Sequence, residues 1–177
     1  DVNRNDWFYS AVNYAYQNKL FSGMSETTFA PNVPMSRAML VQVLYNMAGK
    51  PEVSGTSSFR DVGSAWYQNA VTWASQNGIV YGTGKHTFSP ESAVTREQTA
   101  AILQRYMQKT GKDTSASADL SKYPDAASVS AWAKDSMQWA VGSGLIEGVR
   151  SGSTVTLSPQ DSSTRAQIAQ MLYNFFK

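Results

Sequence analysis

Apolar side chains recur along this chain at three- and four-residue steps, the period at which one face of a helix points into a core. They do so in two alternating kinds of segment. The first kind carries Trp7, Ala11, Val12, Tyr14 and Ala15, then Trp66, Ala70, Val71, Trp73 and Ala74, then Trp132, Ser136, Met137, Trp139 and Ala140. The second carries Leu40, Val43, Leu44 and Met47, then Ile102, Leu103 and Tyr106, then Ile168, Met171, Leu172 and Phe175. Six helices in three pairs are predicted, each pair joined by a structured loop. Gly78 and Gly144 stand where a helix C-terminal glycine belongs, and Lys19 takes that place in the first segment as a weaker stop. The second helices open at Ser36, Thr95 and Thr164, good N-caps. Gln98 and Gln167 complete capping boxes, whereas Met39 leaves the first one incomplete.

The pairs are copies of one unit. Trp7, Trp66 and Trp132 are each followed sixteen residues later by Gly23, Gly82 and Gly148. Pro31, Pro90 and Pro159 come next, and six residues beyond each stands Arg37, Arg96 or Arg165. Asp1, Asp61 and Asp125 precede the tryptophans, and Phe29, Phe88 and Leu157 stand two residues before the prolines, placed to plug each loop onto its helices. The copies span 1–50, 59–110 and 123–177, with polar, turn-rich linkers at 51–58 and 111–122. Two short helices cannot enclose a core, so the units are expected to pack on one another as one all-α body.

Composition narrows the function. With 42% apolar residues a core can form, and with no cysteine there is no disulfide scaffold, thiolate metal site or cysteine nucleophile. The single histidine, His86, leaves little for histidine-dependent catalysis. A net charge of +2 is too small for a nucleic-acid binder, and no apolar run is long enough to span a membrane. The chain begins at Asp1 rather than Met, and is expected to be a piece of a longer or processed protein.

The arginines are the feature that packing does not explain. Arg37, Arg96 and Arg165 directly follow the N-caps, where the helix dipole disfavours a cation. Free N–H groups at such a helix start, beside a guanidinium, suit an anion or an oxygen-rich ligand. The alternative is a pair with a carboxylate of a neighbouring repeat, such as Asp61 or Asp125. Trp73 and Trp139 are expected in the core. Trp7, Trp66 and Trp132 start their helices, where an indole can either pack or stack on a sugar ring. Gly23, Gly82 and Gly148 serve tight turns or let a ligand approach the backbone.

Phe59-Arg60-Asp61-Val62, Trp66, Ala70, Ala74, Gly78-Ile79, Gly82, Phe88-Ser89-Pro90 and Thr95-Arg96-Glu97 together resemble the S-layer homology domain. The third copy repeats the resemblance with Tyr123-Pro124-Asp125-Ala126, Trp132, Gly144-Leu145, Gly148, Leu157-Ser158-Pro159 and Thr164-Arg165-Ala166-Gln167. The resemblance implies a pseudo-threefold spindle of helices around a shared central bundle, with grooves between adjacent repeats. It implies an extracellular module without cofactor or metal, fused to further domains at the bacterial surface. Its partner would be secondary cell-wall polysaccharide linked to peptidoglycan, bound non-covalently through a pyruvylated amino sugar. A ketal pyruvate is a carboxylate on a sugar, the ligand the arginines ask for. The candidate glycan-binding residues are then Arg37, Arg96, Arg165, Trp7, Trp66, Trp132, Asp61, Asp125, Gly23, Gly82, Gly148, Ser36, Thr95 and Thr164. Ser36-Arg37-Ala38-Met39, Gln98 in place of the usual Glu, Ser163 and the longer loop at 149–156 depart from the pattern, so the grooves are not expected to be equal. Two other classes compete. A lattice or protein-docking module does not need arginines aimed into grooves, and a glycan-cleaving enzyme needs two facing carboxylates that no repeated pair supplies.

Overall fold

A computed structural model describes residues 1–176. Its helices are α1 (Tyr9–Gln17), α2 (Arg37–Met47), α3 (Gln68–Gln76), α4 (Arg96–Lys109), α5 (Lys134–Gly142) and α6 (Arg165–Phe176). The first helix of each repeat is shorter than the apolar period suggests. Trp7 and Trp66 stand in the turns before α1 and α3, and Trp132 lies in a 3-10 turn, Ala131–Ala133, before α5. The long third loop is not irregular. It folds as an antiparallel hairpin, β1 (Val149–Ser151) with β2 (Thr154–Thr156), turning at Gly152 with φ +60°. The fold is therefore mostly helical with a small sheet, which a helix-only reading misses.

The starts of the second helices follow the capping chemistry. The Thr95 hydroxyl accepts from the Gln98 N–H at 3.2 Å, and the Gln98 side chain accepts from the Thr95 N–H at 3.4 Å. Thr164 and Gln167 exchange the same bonds at 3.3 and 2.9 Å. Ser36 accepts from the Met39 N–H at 3.2 Å, and a methionine cannot return the bond.

The chain divides into two compact units, Asp1–Val94 with Ser163–Lys177, and Thr95–Ser162. The cuts fall inside repeats 2 and 3, at the starts of their second helices, rather than between repeats. In the first unit α1 packs on α6 and α2 on α3, and in the second α4 packs on α5. Each second helix thus pairs with the first helix of a different repeat. Leu40, Leu44, Ala70, Ile79, Phe88 and Ile168 are fully buried in the first unit, and Leu103, Met107, Met137, Ile146 and Leu157 in the second. Burying one such side chain contributes about 1.5–3 kcal/mol relative to leaving it in water. Trp73 and Trp139 are core residues, as their spacing predicts.

The first unit also carries a small cycle of main-chain bonds. The N–H of Met35 donates to Ser163 O at 2.9 Å, Ser163 to Val94 O at 2.9 Å, and Val94 to Met35 O at 2.8 Å. These residues precede the three helix caps and are all fully buried. The linkers are tied down as well. Tyr45 Oη donates to Pro51 O at 2.7 Å, Gln76 Nε2 to Ser54 O at 2.9 Å, and Ala118 N–H to Gln138 O at 3.0 Å.

Candidate functional site

The three arginines are buried, and their main partners are backbone carbonyls. Arg37 Nε donates to Phe88 O at 2.8 Å, Arg96 Nε to Leu157 O at 2.8 Å, and Arg165 Nε to Phe29 O at 2.7 Å. Their Nη2 atoms reach Tyr81 O at 2.9 Å, Glu147 O at 2.7 Å and Ser22 O at 2.7 Å. Each guanidinium therefore holds the Gly-containing loop of another repeat at two points. Burial pushes the pKa of Arg96 and Arg165 below the ordinary arginine value, yet a guanidinium stays charged at any physiological pH.

The carboxylates join the same arrangement from the other side. Asp61 accepts from the Ser89 N–H at 2.7 Å, Asp125 from the Ser158 N–H at 2.7 Å, and Asp1 from the Ala30 N–H at 2.7 Å. One peptide plane in each loop is thus gripped by an arginine at its carbonyl and an aspartate at its N–H. The residue after that carbonyl is left-handed in all three, with φ +58° at Ala30, +58° at Ser89 and +48° at Ser158. A non-glycine residue there, before a proline, is strained by about 1–3 kcal/mol, and the charged pair holds it in place. Arginine and aspartate are coupled through the peptide.

The free N–H groups expected at the helix starts are occupied. The N–H groups of Arg37 and Ala38 donate to Ser92 O and Pro90 O, those of Arg96 and Glu97 to Asp161 O and Pro159 O, and those of Arg165 and Ala166 to Val33 O and Pro31 O. With the Ser or Thr cap taking the next, these helix starts offer no vacant anion seat. Ser36, Thr95 and Thr164 are accordingly caps.

At Gly23, Gly82 and Gly148 the glycine serves close approach and not left-handed backbone. A Cβ on Gly82 would meet Gly84 O and Thr87 O at 2.6 Å and the Phe59 ring at 2.8 Å. On Gly23 it would collide with Ser25 O, and on Gly148 with the Val155 side chain. By contrast Trp7, Trp66 and Trp132 present their rings to solvent, at 64%, 61% and 56% exposure.

One cavity gathers sequence-predicted residues. In the first unit an open cleft of about 740 Å³ is lined by Gly23, Trp66 and Arg165 together with Lys19, Lys50 and Gln42. Its lining holds three cations and no carboxylate. Beyond its two carbonyl bonds, Arg165 turns Nη1 toward the Met39 sulfur at 3.9 Å, a weak acceptor. Of the other candidates, Arg37, Arg96, Asp61 and Asp125 form the loop clamps, and Gly82 and Gly148 lie in the clamped loops. Ser36, Thr95 and Thr164 cap the second helices, and Trp7 and Trp132 are exposed outside this cleft. Lys19 and Lys50 were not singled out by motif. They share one signal, a left-handed conformation at a helix end with φ +55° and +54°, and at the first of these places the other repeats carry Gly78 and Gly144. Lys19 thus holds, with a side chain, a helix-ending conformation that glycine adopts without strain.

Comparison with known proteins identifies the family. The S-layer homology domain model matches residues 1–38, 58–100 and 122–169. An endoglucanase of Bacillus sp. (strain KSM-635) is 30% identical over 97% of this chain and 18% of its own length. The surface-layer 125 kDa protein of Lysinibacillus sphaericus is 32% identical over 85% of the chain and 12% of its own length. A cellulosome-anchoring protein of Acetivibrio thermocellus is 26% identical over 62% of the chain and 26% of its own length. The chain spans less than a fifth of the first two relatives. Three matched segments with this spacing lead to one conclusion: the chain belongs to the S-layer homology domain family, whose place is the cell surface.

Proposed function

We propose that this chain is a non-catalytic anchor that binds acidic, pyruvylated secondary cell-wall polysaccharide linked to peptidoglycan, holding a larger surface protein to the wall. The observation that carries the reading is the cleft of the first unit, where Lys19, Lys50 and Arg165 line one concavity with the exposed Trp66 ring and the Gln42 amide. Cations without a neighbouring carboxylate favour an anion, an indole face favours a sugar ring, and an amide supplies directional hydrogen bonds. Glycoside cleavage needs two facing carboxylates, and the lining of this cleft has none. The pseudo-threefold spindle belongs to the same reading and is supported by the cyclic bonds of Met35, Val94 and Ser163. So does fusion to further domains, since the chain spans only a small part of its relatives.

Co-sedimentation with purified wall polysaccharide, native and chemically depyruvylated, tests the proposal. Binding to the native polymer only, weakened in Trp66→Ala, is expected. Equal binding to both polymers sinks ketal recognition, and association of the chain with itself but with neither polymer favours a lattice module instead.

A further inference from the structure

Glu97 is a buried carboxylate that the anchoring chemistry does not use. It is 2% exposed, at the second position of α4, where the other repeats carry Ala38 and Ala166. Its oxygens accept three bonds, from the Ser130 N–H at 2.9 Å, the Ser130 hydroxyl at 2.7 Å and Gln160 Nε2 at 2.8 Å. Ser130 is the residue before the 3-10 turn that carries Trp132, and its hydroxyl makes no cap bond to that turn. Glu97 holds the turn from outside.

The other two tryptophans are steadied differently. The Trp7 ring meets Phe8 edge-on at 5.2 Å, and Trp66 meets Tyr67 edge-on at 5.0 Å. Phe8 and Tyr67 are themselves buried, at 7% and 6% exposure. The residue after Trp132 is Ala133, too small to brace an indole. At the second position of their helices Ala38 of α2 and Ala166 of α6 are small, and the segments leading into the helices packed on them carry the large Tyr67 and Phe8. Glu97 of α4 is large, and the segment leading into α5 carries the small Ala133. Gln160, the residue after Pro159, reaches Ser130 through Glu97, so the loop after the third proline is tied to the start of the segment that carries Trp132.

We infer that Glu97 is the positioning residue for Trp132: its buried carboxylate clamps Ser130 and fixes the indole in the exposed orientation that an aromatic neighbour fixes in the other repeats. The inference rests on the proposed function only where it treats that indole as a ligand platform.

The test is fluorine NMR of the whole chain labelled with 5-fluorotryptophan, the lines assigned by single Trp→Phe variants. Glu97→Ala is expected to shift and broaden the Trp132 line and leave Trp7 and Trp66 unmoved. Ser130→Ala, which removes one bond and little volume, should give a smaller displacement of the same line and decides the matter if Glu97→Ala does not fold. Adding Ala133→Tyr to Glu97→Ala should return the line toward its original position. An unmoved Trp132 line in the folded variants, or equal movement of all three exposed tryptophans, overturns the inference. Titration with native polysaccharide is read separately. A displaced Trp132 line with a several-fold loss of affinity supports both readings. Displacement without loss keeps the positioning role and removes Trp132 from the proposed function.

Discussion

Arg37 and Asp61 hold opposite ends of one peptide plane: the guanidinium takes the carbonyl of Phe88 at 2.8 Å, and the carboxylate takes the N–H of Ser89 at 2.7 Å. The peptide is polarised from both sides, so each bond strengthens the other. The same geometry recurs with Arg96 and Asp125, and with Arg165 and Asp1. Charge placed at the helix starts thus does structural work.

Arg37→Ala should accordingly destabilise the protein by about 1–3 kcal/mol, because it leaves the buried Phe88 carbonyl unpaired and frees the part-buried Tyr81 carbonyl. Arg37→Lys keeps the charge but cannot reach both carbonyls with a planar fork, and should recover only part of the loss. Urea unfolding with unchanged slope checks both. A variant as stable as the parent would show that the Phe88 and Tyr81 carbonyls find other partners.

Acid should loosen the same clamp. Burial opposes ionisation of Asp61, but the N–H groups of Phe88 and Ser89 and the nearby Arg37 outweigh it and hold its pKa below the ordinary 3.8. A carboxylate with a depressed folded pKa contributes its full stabilisation above that unfolded value and loses it as pH falls through the folded one. Stability should therefore decline below about pH 4 with a component that Asp61→Asn removes. Melting curves of the two proteins between neutral pH and that range would test this, parallel declines counting against the clamp.

The loops leave no space for a methyl group. Gly82→Ala puts a Cβ within 2.6 Å of two backbone oxygens, and backbone cannot rotate away as a side chain can. The loop must open, at a cost of about 1–3 kcal/mol if it relaxes as overpacked sites do. Hydrogen exchange should rise locally around Thr83 and Thr87, whose mutual bond at 2.8 Å closes the turn, while α3 and α4 stay protected.

Helices, repeat count and caps were legible in the sequence because each depends on neighbours three or four positions away. Thr95 and Gln98 declare their capping box without help from the rest of the chain. The pairing of α2 with α3 was not legible, since any apolar face accepts any other. Nor was the fate of the helix-start N–H groups, which depends on Pro90 and Ser92 arriving from a distant loop. Of the residues that line the candidate cleft, Arg165, Trp66 and Gly23 were singled out by their repetition. Lys19 and Lys50 escaped because their signal is a backbone angle, and in sequence Lys19 reads only as a missing glycine.

That missing glycine gives a prediction in which stability and binding part company. Lys19 holds φ +55° at the end of α1 and lines the cationic cleft, while its counterparts Gly78 and Gly144 adopt φ +68° and +74° without strain. Lys19→Gly relieves the left-handed side chain, a gain of about 1 kcal/mol, against which the added freedom of the unfolded chain costs about 0.5–1 kcal/mol. The variant should fold with stability equal to the parent or slightly above it. It removes one of three cations facing the cleft, so affinity for an acidic polymer should drop several-fold, and the deficit should shrink at high salt, where screening already weakens exposed charge. Lys19→Ala keeps the strain and loses the charge, and should be the less stable of the two while binding no better. Unfolding curves and polymer titrations at two salt concentrations separate the terms. If Lys19→Gly binds native polysaccharide as tightly as the parent at low salt, the cleft does not select its ligand by charge.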